Sequence, residues 1–258
     1  MRIRSFITFV SSFGLNPKNI VLSLLCLPSY VIDLFKFVRV NTFGPVRLLP
    51  VLTDKYQSAG DTNSIYFIQD LHVARIVKDH IDKNNDTLKV GDLGSRIDGY
   101  ILALLCFTEV HFLDVRPLSN LPKGLIYQKI DATDKGASFP FKFDILTSLH
   151  ALEHFGLGRY GDELSNTAWL DGLSVLRYGL ADDGLLIISV PISDQQRVEF
   201  NAHRIFEPKT ILDELPALNL KLERFDIITD ERHIVTNVDI TARHALDYGV
   251  GIFHMRAI

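Results

Sequence analysis

Five short apolar runs alternate with helical stretches between residues 88 and 191 of this 258-residue chain. The clearest helical stretches span residues 99–107 and 165–180. Short apolar strands separated by helices are typical of βαβ units, which build a parallel sheet covered by helices. The pattern therefore predicts an α/β fold with a mostly parallel sheet and helices on both faces. The five predicted strands are LKVGDLG, EVHFLDV, LIYQKIDA, FDILTSL and GLLIISVP.

A more apolar segment precedes this pattern. The run from Ile20 to Ile32 is too short to span a bilayer and is interrupted by Pro28, so a helical arm is predicted rather than a membrane span. We therefore expect two parts, an N-terminal helical arm with a connector over residues 1–62 and the α/β domain over residues 63–258. Two partners for residues 1–40 remain open: the main domain or a second subunit, or a membrane surface contacted peripherally.

Composition narrows the classes of function. Lysine and arginine are scattered and the formal charge is −4, so nucleic-acid binding is not expected. The two cysteines lie in apolar runs, which argues against a disulfide framework and for a reduced, cytoplasmic protein. A small-molecule or glycan ligand fits this composition better.

Polar residues follow the predicted strands at the edge where a parallel sheet binds ligands. Gly94 allows a sharp turn after the first strand, although the full dinucleotide fingerprint is missing and a nicotinamide enzyme is therefore disfavoured. Asp114 ends the second strand and could accept hydrogen bonds from ribose hydroxyls; alternatively, it is a solvated acid beside Arg116. Asp131 follows the third strand and either reaches an adenine amino group or opens a turn with Thr133.

The segment HALEHFGLGRYGD, residues 150–162, follows the fourth predicted strand. His150, Glu153 and His154 match the HxxEH pattern of some zinc proteases, in which one helix presents both histidines. Here His150 falls at a strand end, and no third ligand is evident downstream. We therefore predict no metal site. Alternatively, these histidines hydrogen-bond the backbone of a glycine-rich loop.

In chain order, these positions resemble the class I S-adenosylmethionine-dependent methyltransferases: DLGS for the glycine loop, FLD for the ribose acid, IDAT for the adenine side and LADDGLLIISVP for the fifth strand. More closely, the chain resembles domain-of-unknown-function family 268, a methyltransferase-like family. The matching pieces are YFIQDLHVAR, GSRIDG, LDVRPL, HALEHFGLGRYGD and VEFNAHRIF.

The resemblance implies a Rossmann-like methyltransferase sandwich and S-adenosylmethionine as the cofactor. In the family that this chain resembles, the genes of some members accompany bacterial surface-glycan genes. An acceptor in polysaccharide biosynthesis is therefore expected. The residues expected at the cofactor are Asp92, Gly94, Ser95, Arg96, Asp114, Asp131, Ala132 and His150.

Methyl transfer from a sulfonium is an in-line displacement, so a base is needed only if the acceptor must lose a proton. His154 is the first candidate base and His203 the second, with Glu153 orienting either ring. Arg159, Tyr160 and Arg204 could contact an anionic or sugar acceptor. Alternatively, Arg159 pairs with Asp162 and pins the loop.

Arg96 departs from the family pattern because most active methyltransferases have a small residue at that turn. A large cation there would fill part of the cofactor site. The expected enzyme is therefore a methyltransferase acting on a small molecule or glycan intermediate. The alternative is a cofactor-free binding or scaffolding protein in glycan assembly.

Overall fold

The computed structural model describes residues 9–84, 87–134 and 136–258. It divides into two compact units, residues 1–61 and residues 62–258. The first eight residues of the predicted arm, which include Arg2 and Arg4, lie outside the described residues.

The first unit contains one long helix, α1, Pro17–Val40. The Asn16 side chain accepts a hydrogen bond from the Asn19 amide at 3.1 Å and Pro17 opens the first turn, two features that favour helix initiation. The expectation that Pro28 interrupts the run is wrong, because α1 continues through Pro28 and is 24 residues long in all. By length and composition alone, α1 is long and apolar enough to cross a membrane. A single 3-10 turn, Asp54–Tyr56, follows in this unit.

The second unit is built on an eight-stranded sheet whose order is β3-β2-β1-β4-β5-β10-β8-β9. The first five strands are parallel, whereas β10 runs antiparallel to both neighbours and β9 runs antiparallel to β8. Two further strands, β6 and β7, pair in a separate small sheet. The strands are β1 Val90–Leu93, β2 Val110–Asp114, β3 Leu125–Lys129, β4 Phe143–Leu149, β5 Leu180–Ile192, β6 Arg197–Glu199, β7 His203–Ile205, β8 Leu220–Ile228, β9 Ile234–Val235 and β10 Gly249–Ala257.

Helices cover both faces of the large sheet. On one face, α2 and a π-helical turn leading into α3 share an apolar core with β1, β2 and β4. On the other face, α4 packs its leucines against β4 and β5. These elements are α2 Ile65–Asn84, the π-helical turn Ile97–Ile101, α3 Leu102–Leu105, α4 Ala168–Gly179 and α5 Pro208–Leu212.

The predicted fold class is confirmed. The apolar runs became strands because short, nearly continuous apolar segments are what a sheet buried on both faces requires. All four residues of β1 are buried, as are six of the seven in β4.

A buried carboxylate fastens α2 to the sheet. One oxygen of Asp226 on β8 lies 2.9 Å from Nε2 of His72 on α2 and 3.1 Å from Nε2 of His254 on β10. The other oxygen accepts from the Arg224 side chain and the Asn237 amide. Burial acts to raise the pKa of Asp226, but these hydrogen bonds outweigh it and hold the pKa well below its usual range.

Candidate functional site

A cavity of about 130 Å³ lies at the carboxyl ends of β1 to β4. This is the edge at which open parallel sheets bind ligands. Its walls come from residues 93–94, 113–116, 130–133, 150–151, 154–155 and 160–162. The structure thus brings seven of the predicted site residues together around one space: Gly94, Asp114, Asp131, Ala132, His150, His154 and Tyr160.

The turn after β1 is tight and requires a glycine. Gly94 has φ +74°, and a Cβ there would lie 3.1 Å from the Ala151 Cβ. Asp92 and Ser95 hold this turn from behind rather than lining the cavity. The Asp92 carboxylate accepts hydrogen bonds from the Ser95 amide, the Ser95 hydroxyl and the Thr147 hydroxyl.

The buried Asp92 predicts a pH dependence of stability. Burial is the dominant cause that raises the pKa of this carboxyl to about 7, despite its hydrogen bonds. The unfolded value is about 3.9, so between these values the folded state holds a proton that the unfolded state has lost. Stability from this group is therefore lost as pH rises, by at most about 1.4 kcal/mol per pH unit.

The measurement is urea unfolding of the wild type and Asp92→Asn at about pH 5 and about pH 7, two points within the interval over which the linkage acts. Because asparagine cannot ionise, the wild type should lose stability relative to the variant at the higher pH. A difference between the two proteins that stays constant with pH would contradict the raised pKa.

Arg96 lies outside the cavity. Its guanidinium pairs with Asp98 at 2.7 Å and stands 5.1 Å from the centre of the Tyr66 ring. More than half of the side chain is exposed. The large cation at this turn therefore leaves the space beside Gly94 free, because its charge is neutralised on the outer side of the loop.

Asp114 faces the cavity at the end of β2 with its carboxylate already paired. Arg116 donates to one oxygen from Nη2 at 2.6 Å and to the other from Nε at 2.9 Å. The same guanidinium lies 5.0 Å from the ring centre of Tyr160, on the opposite wall. The Arg116 amide also donates to Oδ1 at 2.8 Å, so Oδ2 is the oxygen that keeps a lone pair for a ligand hydrogen bond.

The turn after β3 contributes Asp131 and Ala132 to the cavity wall. Asp131 accepts hydrogen bonds from the Thr133 amide at 2.9 Å and hydroxyl at 2.7 Å, so it forms the turn that the sequence allowed. Its second oxygen remains available. The buried Ala132 leaves room for a flat group against the strand end.

His150 and Glu153 form a hydrogen-bonded pair at the end of β4. Nδ1 of His150 lies 2.7 Å from Glu153 Oε1, and among the described residues nothing hydrogen-bonds His150 Nε2. Glu153 is fully buried; burial acts to raise its pKa, but the charge and hydrogen bond of His150 outweigh this and the pKa is lowered. When the His150 ring is neutral, a carboxylate at Nδ1 favours the tautomer in which Nδ1 keeps its proton and Nε2 carries the free lone pair.

The backbone conformation of His150 determines the direction of its imidazole ring. His150 has φ +53°, a left-handed conformation that is uncommon for a residue with a side chain. Its amide hydrogen-bonds the Ser189 carbonyl at 3.0 Å, which anchors the turn to β5. Residues held in such conformations are concentrated at functional sites.

His154 also lines the cavity, but its ring nitrogens have different neighbours from those of His150. Nδ1 lies 2.7 Å from the Ala202 carbonyl, and Nε2 lies 3.7 Å from Glu153. Burial lowers the pKa of His154, which favours the neutral ring. Its Nδ1 must then donate to the carbonyl, which leaves Nε2 directed toward a carboxylate.

The remaining predicted residues lie behind the cavity wall. Burial lowers the pKa of His203, whose Nε2 is 3.5 Å from Glu199. Arg159 donates to the Ala202 carbonyl at 3.0 Å. Arg204 is buried and donates to the backbone carbonyls of Phe155 and Ser165, so its guanidinium braces the loop.

Two residues near the site were not predicted. Tyr66 on α2 lies against His150 with ring centres 5.1 Å apart, and burial raises the pKa of the neighbouring Asp70 to about 6. Both belong to YFIQDLHVAR, which carried the resemblance but was not interpreted chemically. Across residues 9–84, 87–134 and 136–258, no group of three or more His, Cys, Asp or Glu residues is arranged to hold a metal ion.

Residues 126–232 match a family model described as Caenorhabditis protein of unknown function, DUF268. The predicted resemblance is confirmed. The matched part runs from β3 to the residues after β8 and so includes the whole 150–162 segment. No curated protein matches the sequence.

Solved structures of class I methyltransferases share the fold. The amino pentose methyltransferase CalS10 from Micromonospora echinaspora aligns with a TM-score of 0.51 and 11% identity, over 83% of this chain and all of that one. Magnesium protoporphyrin IX methyltransferase from Synechocystis PCC 6803 aligns with a TM-score of 0.50 and 14% identity, over 93% of this chain and all of that one.

The CurJ carbon methyltransferase aligns with a TM-score of 0.50 and 15% identity over 72% of this chain, which spans 53% of its length. The protein therefore has a Rossmann-like, methyltransferase-like fold. Identities this low establish the fold and leave the reaction to the site itself.

Proposed function

We propose that this protein is an S-adenosylmethionine-dependent methyltransferase that acts on a small molecule or glycan intermediate. One observation carries the proposal: a single cavity gathers the glycine turn after β1, an acid at the end of β2, the Asp131 turn after β3 and a histidine–carboxylate pair after β4. The bound ligands of two neighbours, S-adenosylmethionine in CalS10 and S-adenosylhomocysteine in the protoporphyrin enzyme, support it.

The residues fit the nucleoside part of the cofactor. Asp114 would accept the ribose hydroxyls, and Asp131 would accept the adenine amino group. Val115, Ala132 and Phe155 offer apolar surface to the adenine ring. Ligand pockets usually measure about 300–1,000 Å³, so a cavity of about 130 Å³ must widen before the whole cofactor can enter.

The chemistry that the cofactor supplies is an electrophilic methyl group on sulfonium sulfur. His150 would accept the proton of the acceptor at Nε2, because Glu153 holds the opposite nitrogen protonated. Glu153 is a positioning residue, since it is completely buried and acts through His150. The glycan part of the proposal is supported by the amino pentose substrate named for CalS10.

Calorimetric titration with S-adenosylmethionine tests the proposal. The wild type should bind, and Asp114→Asn should weaken binding by about 10- to 100-fold, because hydrogen bonds to a charged group contribute about 1.5–3 kcal/mol. Asp182→Asn removes an exposed carboxylate at the opposite end of β5 and should leave the affinity unchanged. Absence of binding by the wild type at millimolar cofactor would contradict the proposal.

A second candidate, a cofactor-free binding protein, is favoured by the Arg116 pair that already occupies Asp114. The same titration with Arg116→Ala separates the two functions. If the wild type binds no cofactor and this variant does, Arg116 closes the site and the cofactor-free function is favoured. If both bind, the pair is compatible with cofactor binding.

A further inference from the structure

One side of α1 presents large apolar side chains to solvent. Val21, Leu25, Ile32 and Phe35 have exposed fractions of 57%, 71%, 52% and 65%. Their spacings of four, seven and three residues place them on a single helical face, and we call these four residues the outer stripe. A contiguous apolar face of this kind marks an interaction surface.

The opposite side of the helix is partly covered within the first unit, although Leu27 and Phe37 on that side are still 43% and 53% exposed. Cys26 is buried, and Ser23 and Leu27 line a cavity together with Leu52. Lys55 reaches back to Asp33 at 2.9 Å. The chain after α1 therefore folds along the side away from the outer stripe and leaves the stripe uncovered by this segment.

Basic residues lie at both ends of the outer stripe. Lys18 precedes it, and Lys36 and Arg39 follow it. Asp33, the single acidic residue of α1, lies off the stripe and is neutralised by Lys55. Residues 9–53 contain four basic residues and one acidic residue, whereas the whole chain has a formal charge of −4. This segment is thus suited to an anionic surface.

We propose that the outer stripe of α1 inserts into the boundary between headgroups and acyl chains of a bilayer that contains anionic lipids. Lys18, Lys36 and Arg39 then lie among the headgroups, where basic side chains at both ends of an apolar stripe are stabilised. This proposal is independent of the methyl-transfer function proposed above.

An in-plane position is favoured over a membrane span by the same charges. A bilayer core of about 30 Å needs about 20 residues of helix. Any window of that length within α1 includes Asp33 and Lys36. A span therefore brings the Asp33 carboxylate into or next to the hydrocarbon, which is unfavourable, whereas an in-plane helix keeps both charges in the headgroup layer.

Co-sedimentation of the full chain with lipid vesicles tests the proposal. Vesicles of phosphatidylcholine with phosphatidylglycerol should bind the wild type at least about tenfold better than phosphatidylcholine alone, and high salt should weaken this binding. Leu25→Glu and Phe35→Glu should each weaken binding by at least about tenfold, because a charge replaces inserted apolar surface. Leu102→Glu, the same kind of change at an exposed leucine of α3, is the matched control.

Lys36→Gln leaves the apolar stripe intact and provides a second, milder variant. It should reduce binding to the anionic vesicles by about fivefold without changing binding to phosphatidylcholine, because each basic residue near an anionic surface contributes about 1 kcal/mol. Circular dichroism of each variant checks that its helix content matches the wild type.

Four results would overturn the proposal. The wild type could fail to bind any vesicle, or Leu102→Glu could lose as much binding as Leu25→Glu. Resistance of the bound protein to alkaline carbonate extraction would indicate a membrane span. Self-association without vesicles that is lost in Leu25→Glu would assign the outer stripe to a second copy of this chain.

Discussion

Asp226→Ala is expected to lower the free energy of unfolding of the second unit by about 3–5 kcal/mol, the range for removing one partner of a buried charged network. The carboxylate is completely buried and receives hydrogen bonds from His72, His254, Arg224 and the Asn237 amide. Alanine would leave these donors unpaired between α2 and two strands. An unsatisfied buried donor loses its water without regaining a partner.

Fluorescence of Trp169 during urea unfolding is the direct measurement. It is the single tryptophan of the chain and packs on Phe206 within the second unit, so it reports this unit. Asp239→Ala is the matched control, because Asp239 sits in a surface turn and accepts only from Thr241 among the described residues. A loss below about 1 kcal/mol, the ordinary size of a point-mutation effect, would show that the Asp226 network is not a major source of stability.

His150→Gln is expected to reduce the rate of methyl transfer by about 10²- to 10⁴-fold, the usual contribution of a positioned general base. Glutamine keeps a polar side chain of similar length but cannot take up a proton at neutral pH. Release of S-adenosylhomocysteine in the presence of amino sugars and nucleotide-linked sugars gives the rate. The cofactor affinity, measured by calorimetry, should change far less than the rate.

The histidine four residues further along provides the comparison. His154→Gln should have the smaller effect, because Nε2 of His154 faces the Glu153 carboxylate at 3.7 Å, whereas Nε2 of His150 has no hydrogen-bond partner among the described residues. If His154→Gln instead abolished the reaction while His150→Gln left it intact, the base would be His154, as first expected from the sequence. Equal retention of activity in both variants would show that the acceptor needs no base.

The central strands β1 and β4 were predictable because their burial is nearly complete. Residues 143–149, expected as a strand from their apolar run, form β4 with the same bounds. The buried face of α2 could not be read from its apolar residues. Gln69 and Asp70 lie inside, whereas Leu71 is 41% exposed, so apolar residues alone do not mark the buried face. Buried polar residues depend on partners elsewhere in the chain, such as the Ser189 hydroxyl that donates to Gln69.

The candidate site was predictable as a place and less so as a set of contacts. Strand ends of a parallel sheet converge on one edge, so residues such as Gly94 and Asp114 could be expected together. The different contacts of His150 and His154 could not be predicted. They depend on the left-handed backbone at His150 and on a carbonyl 48 residues away that engages His154.

The position of β10 has a consequence for how this fold is acquired. β8 and β9 precede β10 in the chain, yet β10 lies between β5 and β8 in the sheet. When β8 and β9 have been synthesised, they can pair with each other but cannot join the rest of the sheet, because β10 is the strand that links them to β5. The segment from residue 249 must insert between β5 and β8, which are synthesised before it. This non-local pairing slows folding and leaves strand edges open until β10 is in place. We expect nascent chains of this protein to depend on protection from aggregation until that strand is in place.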